Sequence, residues 1–357
     1  MTEYPLLDAI SNSLWHHEYP PAVASDLLSE AQLQAVDGLI QPPSYERIAS
    51  YIRYCYEEGE LVKLLQTKGI LAVILKGSAS AVYYPVPAGR SFGDIDFIVS
   101  PTRYFETTKL LEANSYTRGA DEERHISYYK NGLRFELHRY YSHEDEYIEK
   151  CILDGIEHRV MGRINEHEFP MLPPLENGLV LLDHMRSHLR GGLGLRQIID
   201  WMMFCDKVLD DDFWYNCFRP VADRTGLLIL AKTTTALCQK YLGLKQTITW
   251  CSDAKDDLID KLLESLISSG NFGSKQGLGA NAERITAAIK RQGLFRYLQQ
   301  AGEKNWRAYR KHPWLRPFCW VFQVFRLIRR GFRRVWKLRS DIKRGKDRYK
   351  LLNKLGI

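Results

Sequence analysis

The chain has little that would cross-link it covalently. Its seven cysteines, at 55, 151, 205, 217, 238, 251 and 319, are odd in number and include no Cys-x-x-Cys pair. That argues against both a disulfide framework and a zinc knuckle, and sets the expectation of a reducing cytoplasm. Long hydrophobic runs are missing too: no stretch approaches the roughly 18 apolar residues needed to cross a bilayer. The opening MTEYPLLDAISNSLW carries acids where a secretion signal has its basic region, and no long apolar segment follows, so no signal is expected. No internal repeat is visible. What is present, 357 residues with 45% hydrophobic and 26% charged content, is the composition of a globular protein of two or three domains.

Charge is unevenly spread. Residues 304–357 hold 18 Lys and Arg against two acids, Asp341 and Asp347. That local charge of +16, within a chain of net +7, leaves −9 for the first 303 residues. The tail WLRPFCWVFQVFRLIRRGFRRVWKLRSDIKRGKDRYK mixes aromatics (Phe318, Trp320, Phe322, Phe325, Phe332, Trp336) with Arg326, Arg329, Arg330, Arg333 and Arg334. Three readings are open for it: folding back on the acidic body, lying peripherally on an anionic inner-membrane surface, or, less favoured, gripping nucleic acid. The nearly continuous apolar run from 318 to 325 favours packing on the body for its first half.

Periodicity divides the rest. Residues 5 to 68 read as helices, with apolar positions three and four apart and Gly69 as a stop. ILAVILK is a short apolar strand, FGDIDFIVS a second, PTRYFETTKLLEAN a helix, and HISYYKNGLRFELHRYY two strands about an Asn131-Gly132 turn. Beyond Glu144 strand signals nearly vanish, and helices of bundle length follow, broken by the Gly/Ser-rich 268–284. The expectation is an α+β fold: an N-terminal helical segment (1–70), a small mixed-sheet core (71–143), a helical bundle (144–300) and a basic aromatic helical tail (301–357).

The chemistry is concentrated in VILKGSASAVYYPVPAGRSFGDIDFIVS, residues 73–100. Strand side chains alternate, so Asp94 and Asp96 share a face while Ile95 and Phe97 enter the core. In RFELHRYY, Phe135 and Leu137 turn inward, and Glu136 lies opposite them with Arg134 and His138. Three carboxylates on one face repel one another unless a cation neutralises them. Oxygen-only ligands suit Mg²⁺, and an Asp-x-Asp dyad can bridge two ions roughly 4 Å apart for in-line phosphoryl transfer. Gly77-Ser78, a glycine turn from strand to helix, exposes backbone N–H groups that can hold phosphates. Lys76 and Arg90 either meet those phosphates or serve as counter-charges to the acids.

The sequence LKGSA, then YYP, then R-x-FGDIDFIV, then FELHRYY, then LLDHMRSHLRGGLGLRQIIDW resembles the DNA polymerase β-type nucleotidyltransferase superfamily. More narrowly it resembles the bacterial nucleotidyltransferases of group 5, over roughly residues 45 to 280. The resemblance implies a fold and an activity: Mg²⁺-dependent transfer of a nucleoside monophosphate from an NTP to a hydroxyl or similar acceptor, with pyrophosphate leaving. It implies that Gly77 and Ser78 are the phosphate-binding turn, Asp94 and Asp96 the pair holding two Mg²⁺ ions, and Glu136 the third acid. The fifteen residues between Ser78 and Asp94 exceed the usual superfamily spacing, so the YYPVPAGR segment is expected to reshape the nucleotide site. The acceptor stays open among a glycan precursor, a small antibiotic-like molecule and a protein side chain. The competing reading is a non-catalytic accessory protein that keeps the fold and docks on a membrane or complex through the basic tail.

Other residues carry weaker signals. His138 shares the face of Glu136 and is a candidate substrate contact. His184 and His188, four apart, invite a zinc reading, but no H-E-x-x-H pattern or third ligand accompanies them, so a structural role is favoured. Asp200, ahead of WMMF, reads as a hydrogen-bonding residue between bundle helices. SGNFGSKQG reads as a connecting loop rather than an anion site.

Overall fold

The computed structural model describes residues 45–142, 145–189, 193–245, 247–269, 289, 293–306, 308–309, 312–331 and 349–357. The helices expected before residue 45, nearly all of the Gly/Ser-rich stretch 268–284 and tail residues 332–348, which include Phe332, Arg333, Arg334 and Trp336, lie outside them. The chain divides into two compact units, one formed from Met1–Arg186 with Leu195–Ile259, the other from Ser187–Gly194 with Asp260–Ile357.

In the first unit, helix α1 (Tyr45–Gln66) buries Tyr51, Tyr54, Cys55, Glu58, Leu61, Val62 and Leu65. That three-and-four spacing is one helix face. Gly69, at φ 60°, ends it and releases the chain into β1 (Ala72–Leu75), every residue of which is buried. A short helix α2 (Gly77–Ala81) follows, then β2 (Ile95–Val99), α3 (Tyr104–Ala113), β3 (Thr117–Asp121), β4 (His125–Lys130) and β5 (Leu133–His138). Asn131 and Gly132 both adopt positive φ, the requirement of the tight β4–β5 turn. The fold is α+β, with a seven-stranded mixed sheet in the order β3-β4-β5-β2-β1-β7-β6.

The last two strands correct the expectation that strands stop near residue 143. After α4 (Glu146–Glu157), β6 (Val160–Ile164) and β7 (His167–Met171) form a hairpin, and β7 lies parallel to β1 with Met171 opposite Ile74. Their strand signal is weak for physical reasons. Pro170 cannot donate to a ladder, Gly162 is a poor strand former, and the polar residues Arg163, Asn165, Glu166, His167 and Glu168 cluster at the turn rather than alternate. Gly162 is needed there, because a Cβ would press on the Phe169 ring and the Met171 sulfur. His167 Nε2 lies 2.8 Å from Glu58 Oε1, tying this edge of the sheet to α1.

Helices α5 (Pro174–Leu189), α6 (Leu195–Lys207), α7 (211–224, with a π turn at Trp214–Phe218), α8 (Leu228–Tyr241) and α9 (Asp256–Ser269) follow as the sequence leads one to expect. Asn177 of α5 donates to the Ala79 carbonyl of α2 and to Tyr83 Oη, both at 3.0 Å. The first turn of this helical region thus holds the turn after β1 in place.

In the second unit, α10 (Leu294–Asn305) packs on α11 (Cys319–Gly331) at close range: a Cβ on Gly302 would overlap the Cys319 carbonyl. The Trp306 and Phe322 rings stack at 5.1 Å. Packing of the tail's first half is therefore partial, since Phe318 and Phe325 stay more than half exposed. At the far end Leu351, Leu352 and Leu355 are buried. Deleting residues 340–357 is therefore expected to uncover apolar surface, which dye binding and light scattering would register. Among the described residues no helix is long and apolar enough to cross a membrane.

Candidate active site

Three adjacent strands set the site by register. Antiparallel β1 and β2 put Leu75 opposite Asp96, and parallel β2 and β5 put Asp96 opposite Glu136. Lys76, the residue that continues past β1, therefore leaves the strand beside Asp96. Asp94 stands just ahead of β2, partly exposed, and its carbonyl accepts a hydrogen bond from Tyr54 Oη at 3.1 Å. Asp96 is only 3% exposed. Its Oδ1 receives Lys76 Nζ at 2.9 Å and lies 2.8 Å from His138 Nε2. Glu136 is also buried; its Oε1 contacts Arg134 Nη2 and lies 3.3 Å from His125 Nε2.

The two buried acids are pushed apart in proton affinity. Burial works to raise Asp96, but Lys76 and His138 outweigh it and hold the carboxyl below the usual range. Glu136 is pushed up to about 8, first by burial and then by the charges of Asp96 and Asp94, which Arg134 and Lys76 offset only in part. The metal-free protein thus keeps a proton on Glu136 that the unfolded chain releases near its ordinary 4.5. Between those values the folded state binds more protons, so its stability falls as pH rises toward 8. Glu136→Gln is expected to abolish this slope and to exceed wild type by about 2–4 kcal/mol at pH 9 relative to pH 4, a tenfold change in proton affinity being worth about 1.4 kcal/mol. Urea titrations of both proteins across that range check it.

The turn after β1 is built under strain. Lys76 takes φ 55° and ψ −139°, a region non-glycine residues rarely occupy, and Gly77 follows at φ 40°. A Cβ on Gly77 would overlap Tyr54 Oη. Burial raises the Tyr54 phenol far above its ordinary value, keeping it a donor to Asp94. Gly77→Ala is therefore expected to cost about 1–3 kcal/mol. Tyr54→Phe should recover only the steric part of that loss in thermal melts. Beyond the glycine, Ser78 is fully buried and its Oγ has no hydrogen-bond partner, a state that favours an incoming acceptor.

Arg90 is drawn elsewhere. Its Nε and Nη2 donate to Asp200 Oδ1 and Oδ2 at 2.7 and 2.8 Å, and Tyr84 Oη adds 2.7 Å to Oδ1. This buried bidentate pair joins the loop before β2 to α6. Asp200 therefore does not bridge bundle helices, as its position before WMMF suggests. It anchors the inserted YYPVPAGR segment.

A family model described as "Uncharacterised nucleotidyltransferase" matches residues 17–243. The chain belongs to this family. Comparison with curated proteins finds no match. Of the residues that the sequence singles out in this family member, Lys76, Asp96 and His138 meet directly, with Glu136 in register beside Asp96. Gly77 sits against Tyr54 Oη, which donates to the Asp94 carbonyl. His184 and His188 join no group of three metal-ligating side chains among the described residues.

Two residues of the site escape a motif search. His125 stands opposite His138 in the β4–β5 register. Counting back from the Asn131-Gly132 turn finds it, because each step along one strand fixes the partner on the other. Tyr54 gives no such signal: it is one more apolar position on the buried face of α1.

Proposed function

We propose that this nucleotidyltransferase moves a nucleoside monophosphate from a Mg²⁺-bound NTP to a hydroxyl-bearing acceptor, with pyrophosphate leaving. One observation carries the reading: Asp96 and Glu136 are register partners on neighbouring strands, and Lys76-Gly77-Ser78 leaves the third strand beside them. The donor set fits the ions the family resemblance implies. Asp94, Asp96 and Glu136 offer only oxygens, which suits Mg²⁺, and Glu136, raised first by burial and then by the charges of Asp96 and Asp94, stands where a divalent cation would offset that repulsion. Asp94 and Asp96 would hold two ions and Glu136 would complete the acceptor-side position. When bound, the metal supplies charge neutralisation at the phosphates and activation of the attacking oxygen.

The chain's own groups do the rest. Gly77 and Ser78 N–H groups and the unpartnered Ser78 Oγ seat the β- and γ-phosphates. Lys76 leaves Asp96 for a phosphate oxygen, a charge exchange that its exposure of 17% permits. His138, bonded to Asp96, orients that carboxylate, and Glu136, ionised once the site is charged, takes the acceptor's proton. Arg90 takes no part at the phosphates; it shapes the wall through Asp200.

Calorimetry of Mg·NTP binding tests this with each of ATP, CTP, GTP and UTP. The Asp94→Ala/Asp96→Ala protein is expected to bind at least about tenfold more weakly, or 1.4 kcal/mol. Equal affinity for every nucleotide would overturn the proposal. Isothermal runs at pH 7 in buffers of different ionisation enthalpy should also show close to one proton released per metal-loaded nucleotide, from Glu136. The same runs on Glu136→Gln should show none.

A further inference from the structure

The β4–β5 hairpin sets His125 opposite His138, with ring centroids 5.4 Å apart. Glu136 is two residues from His138 on the same strand face. One potential ligand atom from each of these three side chains lies within 4.8 Å of the other two. Nδ1 of His138 is buried without a hydrogen-bond partner, and Nε2 of His125, also buried, has only the 3.3 Å approach of Glu136 Oε1 in place of a well-formed hydrogen bond. His138 itself is 6% exposed. Buried polar atoms without partners are costly, and their concentration at one place calls for something that binds them.

The surroundings of His138 are those of a ligand. Its Nε2 bonds to Asp96 Oδ1 at 2.8 Å, so a carboxylate fixes the ring's orientation and the position of its proton. Metal-bound histidines are commonly held this way. Two imidazoles and a carboxylate differ in kind from the all-oxygen set of Asp94, Asp96 and Glu136. Imidazole suits cations such as Zn²⁺ or Co²⁺ and contributes little to selecting Mg²⁺. The cation now on Glu136 Oε1 is Arg134, which is 40% exposed and also donates to Ser127 Oγ at 3.0 Å, so it has a second partner to keep.

We infer that His125, Glu136 and His138 form a binding site for a transition cation of the Zn²⁺ class, distinct from the Mg²⁺ site and sharing Glu136 with it. The inference rests on the proposed function only for the role of Glu136 in the neighbouring site. Cation binding by the hairpin stands on its own geometry.

The test is titration of the metal-free full-length protein with Co²⁺, followed by visible absorption, with thermal melts alongside. One Co²⁺ is expected to bind with ligand-field bands of a nitrogen-containing site, to be displaced by stoichiometric Zn²⁺, and to resist a large excess of Mg²⁺. His125→Ala and His125→Asn should each weaken binding at least tenfold, whereas Asp94→Ala should keep it. Absence of the bands in wild type, equal binding in both His125 variants, loss in Asp94→Ala or displacement by Mg²⁺ would each overturn the site. Should the His125 variants melt too early to titrate, the wild-type protein decides: Zn²⁺ must raise its Tm where equal Mg²⁺ does not. The two proposals fail separately. Co²⁺ binding without Mg·NTP binding removes the transferase reading, and the reverse removes the hairpin site.

Discussion

Asp96→Asn is expected to reduce nucleotidyl transfer by at least about 10³-fold, several kcal/mol of transition-state stabilisation, while leaving the protein folded. Asp96 is the convergence point of the site: Lys76 and His138 both reach its Oδ1, and Glu136 faces it across the β2–β5 register. Asparagine keeps its shape and removes its charge. On the proposed reading catalysis would then lose a metal ligand, and the charge that holds Lys76 is gone. The fold loses less, because two opposing changes compensate. The Lys76 and His138 interactions weaken, whereas the repulsion that raises Glu136 is relieved. Asp96→Asn should therefore also move the Glu136 titration downward from about 8. Label transfer from α-labelled NTPs into cell extract reads the activity, and the pH dependence of urea unfolding reads Glu136. Activity within tenfold of wild type would contradict the assignment of Asp96.

Arg90→Met and Asp200→Asn should do the opposite, with stability as the main loss. Each breaks a bidentate pair whose two side chains are about 95% buried, Arg90 at 5% and Asp200 at 6% side-chain exposure. Removing one partner strands the other's charge or hydrogen-bonding capacity in the interior, at a cost of about 3–5 kcal/mol. Tyr84 Oη loses an acceptor or meets a weaker one at the same time. The double variant Arg90→Met/Asp200→Asn removes both charges and is expected to be less destabilised than the sum of the two single variants, a coupling that a double-mutant cycle in urea measures. Arg90 meeting phosphate directly would give a different pattern: near-normal stability of Arg90→Met with Mg·NTP affinity lost.

Of the candidate site, the pairing of Asp96 with Glu136 on neighbouring strands was legible in the sequence. Asp94, Asp96 and Glu136 stand out because acids inside apolar strands demand a reason, and alternation alone assigns them one face. The Asn131-Gly132 turn fixes the β4–β5 register and with it His125, a residue visible by counting. Lys76 and Arg90 look equivalent as cations near the acids, yet one reaches Asp96 and the other is claimed by Asp200, more than 100 positions away. Side-chain choice between distant partners depends on the packing of α6 against the loop before β2, which no local pattern encodes. The same holds for β6 and β7: Gly162 on the edge strand β6 and Pro170 on β7, which meets β1 at a single register pair, leave alternation there too weak to read. Tyr54 was hidden for the converse reason, since a buried tyrosine on a helix looks like any other core residue until its hydroxyl is seen to meet Asp94.

On the proposed function, Asp94, Asp96 and Glu136 together would hold divalent cations against an NTP seated by Lys76-Gly77-Ser78. The most direct measurement is a crystal of the protein soaked with Mn²⁺ and a non-hydrolysable NTP, examined for anomalous scattering. Two peaks are expected beside Asp94 and Asp96, one of them near Glu136, with the β- and γ-phosphates on the Gly77-Ser78 turn and Lys76 moved from Asp96 to the phosphates. Nucleotide bound elsewhere, or Mn²⁺ absent from the three carboxylates with Lys76 still on Asp96, would contradict it.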